Sequence, residues 1–577
     1  MESLLQYILL LISSALLLFY AAKVTISIWW RPRCLEKQLN QQGIKGNPYR
    51  LLFGDMKEEL KLIKDSWSRP ISLTHQIVPR ALPFVHQTVQ KHGMKSLVWV
   101  GTTPRVVVWE AELVKEVLSN KFGHFQKPPV NPLIKLLTMG ISSLEGEGWV
   151  RRRRLITPAF HLEKLKGMVP AFQTSCVELI KRWEGLIGGD GSCELDVWPE
   201  LQNLTGDVIS RTAFGSNYEE GKMIFQLQKE QVILVLEAAR SVYVPGFRFL
   251  PTRKNRRRMR IDKEIKSMLT CLIRKKERAV ANSESNSNDL LGLLLQSTYC
   301  DDLQGSLNNP TRTYALTIED IIEECKLFYF AGQETTAVWL TWTMVLLAMY
   351  PDWQERAREE VLQICGKKVT MILHEAMRLY PPVVVLFRHT YKQIELGGVS
   401  LPAGVELMLP TILFHHDHDL WGEDAEEFKP ERFSQGVSKA SKDPNAFLPF
   451  GWGPRICLGQ NFAVIEAKMA LKDPIVPISP PRSSLTSPRP PRYPSPTSRD
   501  PNHLNANPTS LKPRSHPLEV PIVDGHKNHV NVLQYFCGAS LEESKQSAHR
   551  PGAERLVETS RPVRDGYFLI AAPIMTC

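Results

Sequence analysis

The tightest constraint on this chain lies in residues 450–459, FGWGPRICLG. Glycine lets the backbone pass close to a flat partner, because it lacks a Cβ and tolerates positive φ. Gly453 and Gly459 bracket Arg455 and Cys457. An arginine in such a loop offers a planar fork to a carboxylate. The cysteine is followed at once by an apolar, helix-forming run at 462–471, and a helix N-terminus stabilises a thiolate. Phe450, Gly453, Arg455, Cys457 and Gly459 together read as a cradle for a haem b group, with Cys457 as its axial thiolate and Arg455 on a propionate. A free buried cysteine in a glycine-rich turn is the simpler reading of any lone cysteine, but it explains none of the other offsets.

The first thirty residues set a second constraint. Residues 4–22 are almost wholly apolar and carry no charge, and a further apolar stretch runs from Lys23 to Trp29 and Trp30. That length crosses ~30 Å of hydrocarbon as a helix. The tryptophans suit the headgroup region, and Arg31, Arg33 and Lys37 place the downstream side in the cytosol. A cleaved signal peptide fits less well, since its positive charges would precede the apolar run. Residues 31–50, with Pro32, Pro48, Gly43 and Gly46, read as a stiff connector. The sequon at Asn203 would then face the cytosol, unmodified. The formal charge of +11 suits a membrane surface or an acidic partner; without zinc-finger spacing or an RNA-binding aromatic signature, nucleic acid is not expected. Ten scattered cysteines with no C-x-x-C pair suit reduced thiols.

Between these ends the pattern is mainly helical. Residues 98–109 read as two short strands around a Thr-Pro turn. Trp149 opens an amphipathic helix in which Arg151, Arg152 and Arg154 read as solvated. The basic run 253–260 reads as a solvated face, and 282–289 and 303–313 as polar loops. Residues 318–350 have the length of a long buried helix, with acids in its first turns. Inside it lies Ala331-Gly-Gln-Glu-Thr-Thr336. A glycine inside a helix costs about 1 kcal/mol relative to alanine, so Gly332 signals a close approach, here expected toward bound dioxygen and the haem face. Thr335 can bond back to the carbonyl one turn earlier. Glu334 is then a proton source and Thr335 its relay, which is general-acid work. Glu375 and Arg378 are i, i+3 neighbours in another helix, ended by Tyr380-Pro381-Pro382.

These segments carry a resemblance. FGWGPRICLG is similar to the haem-binding loop of the cytochrome P-450 superfamily, and the 331–336 segment, the Glu375–Arg378 pair and Arg432 follow the same family's order. The resemblance covers roughly residues 1–471. LEKQL from Leu35, GNPYRLLFGD from Gly46 and LITPAFH from Leu155 look like the plant group that includes secologanin synthase. It implies a mainly α fold with small β-sheets behind an N-terminal transmembrane helix, single-pass in the endoplasmic reticulum membrane with the catalytic domain, 51–471, in the cytosol. It places Ala331 and Gly332 against the haem and gives Glu334 and Thr335 the catalytic roles. It puts Trp149, Arg153 and Arg388 on the propionates, and joins Glu375, Arg378 and Arg432 in a buried network needed for folding. The implied reaction inserts one atom of O2 into a lipophilic terpenoid or hormone-like metabolite, with NADPH-derived electrons from a cytochrome reductase. The rivals are a haem-thiolate isomerase or lyase, for which Glu334 and Thr335 would be superfluous, and a non-catalytic haem-thiolate protein.

Two places depart from the family. The link at 366–369 is some fifteen residues shorter than expected, and the resemblance stops after Leu471. From 472 to 521 there are fourteen prolines among many Ser and Arg, a composition that cannot bury enough apolar surface to offset ordering. A disordered tail at 472–577 is expected, and its abrupt start fits an out-of-frame or intronic coding segment.

Overall fold

The computed structural model describes residues 2–69, 74–120, 123–137, 139–188, 192–242, 246–282, 289–303, 316–362, 367–472, 478–479 and 529–532. The polar loops at 282–289 and 303–313 and the 472–577 tail fall mainly outside those residues; of the link at 366–369, residue 366 lies outside them and 367–369 are helical.

The chain begins with helix α1, Glu2–Thr25, whose leucine-rich sequence holds no Gly or Pro. Its described side chains, from Leu4 on, are exposed. A long apolar helix with exposed side chains meets the requirement for crossing a bilayer, because its backbone polar groups are paired internally. A π turn at Ile26–Trp30 leads into α2, Arg31–Gln41. The expected connector is therefore helical in its first part. Pro32 sits where a helix start tolerates the missing N–H, and α2 buries Pro32, Leu35 and Leu39 against the body.

Six short strands form the principal sheet: β1 (Lys45–Gly46), β2 (Ser96–Val100), β3 (Thr103–Val107), β4 (Phe125–Gln126), β5 (Leu386–Thr390) and β6 (Glu406–Leu409), in the spatial order β1-β2-β3-β6-β5-β4. The expected hairpin is β2–β3, but its turn falls at Gly101 (φ 60), and Pro104 lies inside the ladder opposite Trp99. Glycine supplies the positive φ that a tight hairpin requires. In the tail, His529–Val532 pairs parallel with both Ser192–Leu195 and Ile478–Ser479.

Most of the rest is helical and includes α3 (Gly146–Ile156), α4 (Val197–Phe214), α5 (Tyr218–Ala239), α6 (Arg253–Ala281), α7 (Ile318–Met349), α8 (Lys367–Leu379) and α9 (Gln460–Lys472). α7 is the spine. Thr317 and Asp320 form a reciprocal capping box at its start, and Ile321, Leu327, Tyr329, Ala337 and Leu346 are among the residues it buries completely or nearly so. α4 packs along it, and α9 also packs against it. Thr205 of the sequon is fully buried within α4, so this segment is core rather than a modification surface.

Two basic residues expected in solvent are not there. Arg152 reaches from α3 to Glu324 (2.8 Å) and Asp320 (3.0 Å) on α7. Arg258 is buried on α6 and donates to the Leu234 carbonyl of α5 at 2.7 Å. Basic runs on amphipathic helices put only some members outward; the inward ones find acids or carbonyls.

Candidate active site

The 450–459 loop is a turn built on backbone constraints. Gly453 has φ 72, and a Cβ there would lie 2.5 Å from the Leu118 carbonyl oxygen. The Cys457 N–H donates to the Phe450 carbonyl at 2.9 Å, closing the loop on itself. The Phe450 ring meets Trp339 of α7 edge to face at 6.2 Å. Cys457 is half-buried, and α9 begins three residues later at Gln460. A Cβ on Gly459 would stand 3.9 Å from the Cys457 sulfur and meet no protein atom closer than that. Protein packing therefore demands the glycine at 453, whereas at 459 the space kept open lies beside the sulfur. Gly453→Ala is expected to destabilise the protein by about 1–3 kcal/mol, read as a lowered guanidinium midpoint; an unchanged midpoint would contradict the strain.

Around the loop, cations outnumber their partners. Arg455 Nη2 donates to the Leu144 carbonyl at 2.7 Å and pairs with Glu145 Oε2 at 2.6 Å. Its guanidinium lies 4.6 Å from the Trp149 ring centroid, while its Nη1 is buried without a partner. Arg388, on β5, is buried and donates to the Phe387 carbonyl at 2.8 Å. Burial, with Arg455 close by, pushes its pKa down to about 10, against the pull of Glu145. Among the described residues, the buried Arg388 and the largely buried Arg455 thus share the Glu145 carboxylate. A buried charge without full compensation is costly, and the two propionates of a haem would supply the missing negative charge. The donor set fits that group. Trp149 and Arg153 lie one turn apart on α3, both half-buried.

On α7 the 331–336 segment stays helical throughout. Thr335 Oγ1 donates to the Ala331 carbonyl at 2.8 Å, the expected back-bond. At Gly332 a Cβ would strike Ile209 of α4 at 2.8 Å. The structure thus shows a demand from helix packing at this position. Glu334 Oε2 accepts from Gln202 Nε2 of α4 at 3.1 Å, and Gln202 Oε1 accepts from Lys229 Nζ of α5 at 3.2 Å. Desolvation pushes the Glu334 carboxyl up to about 7, with Lys229 and Gln202 opposing the rise. Glu334 retains some accessible surface, so crowding by protein rather than complete enclosure produces the desolvation.

Away from the loop, Glu375 and Arg378 of α8 are both fully buried. Arg378 meets Glu375 in a bidentate fork, Nε to Oε2 at 2.8 Å and Nη2 to Oε1 at 2.7 Å. It also donates to the carbonyls of His415 (2.8 Å), Ala425 (2.5 Å) and Glu427 (3.1 Å). Arg432 Nε stands 3.5 Å from Glu375 Oε1, and its Nη2 pairs with Asp424 Oδ1 at 2.7 Å. The expected trio is assembled, with Asp424 as an additional member. Val384, Val385, Leu386 and Phe387 are buried leading into β5.

Sequence reasoning missed Glu145, Gln202, Lys229, Glu324 and Glu466. Glu324 is fully buried, accepts from the Ile141 N–H at 3.0 Å and pairs with Arg152; burial pushes its pKa up to about 7. Glu466 is buried on α9 with both oxygens outside hydrogen-bond geometry, the Thr336 hydroxyl being the nearby group that favours its charged form. Burial pushes its carboxyl well above the ordinary carboxylate range. A lone acid on the apolar face of the helix after the cysteine was the available signal.

Comparison with known proteins agrees with this geometry. The family model described as "Cytochrome P450" matches residues 75–473. The chain is 56% identical over 457 residues to a protein of Paris polyphylla named Cytochrome P450 CYP72A616, covering 77% of this chain and 87% of that one. It is 47% identical over 487 residues to the 7-deoxyloganic acid hydroxylase of Catharanthus roseus, covering 82% and 93%. It is 47% identical over 470 residues to secologanin synthase 1 of the same plant, covering 79% and 89%.

Proposed function

The chain belongs to the cytochrome P450 family and is a haem-thiolate monooxygenase; from that premise we propose that it oxidises a lipophilic plant terpenoid or hormone-like metabolite, with NADPH-derived electrons supplied by a membrane-bound cytochrome reductase. The relatives named for 7-deoxyloganic acid hydroxylation and secologanin synthesis support the substrate class. The apolar α1, followed by Arg31, Arg33 and Lys37, supports a single-pass anchor in the endoplasmic reticulum with the catalytic body in the cytosol.

The observation that carries the reading is the pair of under-compensated guanidiniums, Arg388 and Arg455, beside the Cys457 loop. In this reading Cys457 ligates the iron, and Arg455, Arg388, Trp149 and Arg153 hold the propionate side. The bound haem supplies the activation of O2 and the oxidation of the substrate. The chain's own work is to orient the group, exclude bulk water and deliver protons. With a pKa near 7, Glu334 carries a proton in a large fraction of molecules at neutral pH and can release it. Thr335 Oγ1 donates to the Ala331 carbonyl, so its oxygen lone pairs remain open to accept from Glu334. Glu375, Arg378 and Arg432 keep the loop's surroundings folded.

A second reading, a haem-binding protein without turnover, draws on the end of the family match at residue 473. The full chain in microsomes separates these cases. A red-shifted Soret band in the reduced CO complex, with NADPH- and O2-dependent product from a terpenoid panel, is expected. The band with reductant-independent turnover would indicate an isomerase or lyase. The band without turnover would indicate the second reading, and its absence would remove the haem-thiolate assignment.

A further inference from the structure

We propose that Gln202 and Lys229 are positioning residues that hold Glu334 as the chain's proton donor, linking it to solvent through a side-chain line of fixed polarity. The proposal rests on the reading of Glu334 given above and deepens it.

The polarity follows from what each group can do. Lys229 carries only donors, and its Nζ lies 3.2 Å from Gln202 Oε1. That contact fixes which way the amide faces, so its Nε2 is the end turned to Glu334 Oε2, 3.1 Å away. Gln202 is itself clamped: its backbone carbonyl accepts from Gln333 Nε2 at 3.1 Å, and one turn on, Thr205 Oγ1 donates to the Gln333 carbonyl at 2.9 Å. Thus α4 grips α7 on the residue next to Glu334. Gln202 is buried, whereas Lys229 is exposed. The line therefore runs from solvent at α5, through a buried amide on α4, to a carboxyl on α7.

The consequence concerns the charged state. A carboxylate that has given up its proton is stabilised by an N–H donor and a cation behind it. Without Lys229 the amide is free to turn, presenting Oε1 to Glu334, and only a protonated carboxyl can donate to that oxygen. The other titratable groups around the line are Asp196, which lies near Lys229, and Glu466, beside Thr336, whose carboxyl burial pushes well above the ordinary carboxylate range. Neither replaces the cation. The ammonium need not surrender its own proton; it sets the amide's direction and the field.

The sign is fixed. Lys229 and Gln202 both lower the Glu334 pKa against desolvation, so removing either moves it up from about 7. Product formed per NADPH is expected to fall as pH rises through the Glu334 pKa, because the donor loses its proton. In Lys229→Met and Gln202→Leu that limb moves to higher pH by about one unit, tenfold in proton affinity, and Lys229→Arg restores it.

The readout independent of turnover is the infrared C=O stretch of protonated Glu334 in the ferric holoprotein, assigned by its loss in Glu334→Gln and titrated with pH. An upward shift of its midpoint in Lys229→Met and Gln202→Leu, with the wild-type midpoint back in Lys229→Arg, is the expected result. A midpoint unchanged in Lys229→Met overturns the proposal while leaving Glu334 as the donor. If Glu334→Gln itself leaves both the pH profile and the product-to-peroxide ratio of wild type, the underlying assignment of Glu334 fails instead.

Discussion

Cys457→Ser is expected to abolish turnover, by at least about 10³-fold, or roughly 4 kcal/mol of barrier, while leaving the protein folded. The substitution is nearly isosteric, and the loop does not depend on the sulfur for its shape. Its closure comes from the Cys457 N–H bonded to the Phe450 carbonyl and from Gly453 against the Leu118 backbone, all of which survive in the variant. What is lost is the donor. A thiol ionises far more readily than a serine hydroxyl, and the thiolate is the soft ligand that directs electron density into the iron. The N-terminus of α9, three residues on, favours an anion but cannot bring an alcohol's ionisation into the neutral range. The check has two parts. Far-ultraviolet dichroism should match wild type, and the reduced CO complex should lack the red-shifted Soret band. A serine variant that kept both the band and turnover would remove Cys457 from the iron and with it the reading of the loop.

The parts of this site that were legible in the sequence depend on residues close together in the chain. The fork between Glu375 and Arg378 is an i, i+3 relation, and the Thr335 back-bond spans one turn, so helical geometry alone anticipates both. The long α7 was readable from its apolar content and acidic first turn; its observed ends, Ile318–Met349, fall within a residue of expectation. The missed features depend on partners far away in sequence. Gln202 and Lys229 lie on two other helices from Glu334, and no spacing rule connects them. Arg152 and Arg258 sit in basic runs whose inward members cannot be picked out until the face that packs is known. Residues 31–41 looked like a connector because Pro32 opens them, yet proline is equally at home at a helix start, and Leu35 and Leu39 already had the spacing of a buried face. At Gly332 the sequence signalled a close approach, and it could not name the protein group packed there, Ile209.

Glu375→Ala should yield protein that neither holds haem nor folds stably, with a loss of about 3–5 kcal/mol. The magnitude follows from what is stranded. Arg378 is fully buried, and its Nε and Nη2 are both aimed at the Glu375 carboxylate. Truncating that partner leaves a guanidinium in the core with only the His415, Ala425 and Glu427 carbonyls to receive it. It also removes the acceptor for the Lys429 N–H at 3.0 Å and the carboxylate facing Arg432. The segment from Asp424 to Arg432 thus loses part of its tie to α8, keeping the Arg378 bonds to Ala425 and Glu427. An exposed i, i+3 pair would contribute only tenths of a kcal/mol, so the size of the effect tests burial directly. Two further variants separate charge from shape. Glu375→Gln keeps the volume and one acceptor, and should lose less than Glu375→Ala. Glu375→Leu combined with Arg378→Met removes both charges, and should recover part of the loss, because an apolar pair strands nothing. Haem occupancy by pyridine haemochrome and the guanidinium midpoint measure all three. Full occupancy in Glu375→Ala would show that the network is dispensable, and a double variant worse than the single would show that its carbonyl contacts, rather than its charge balance, hold this part of the fold together.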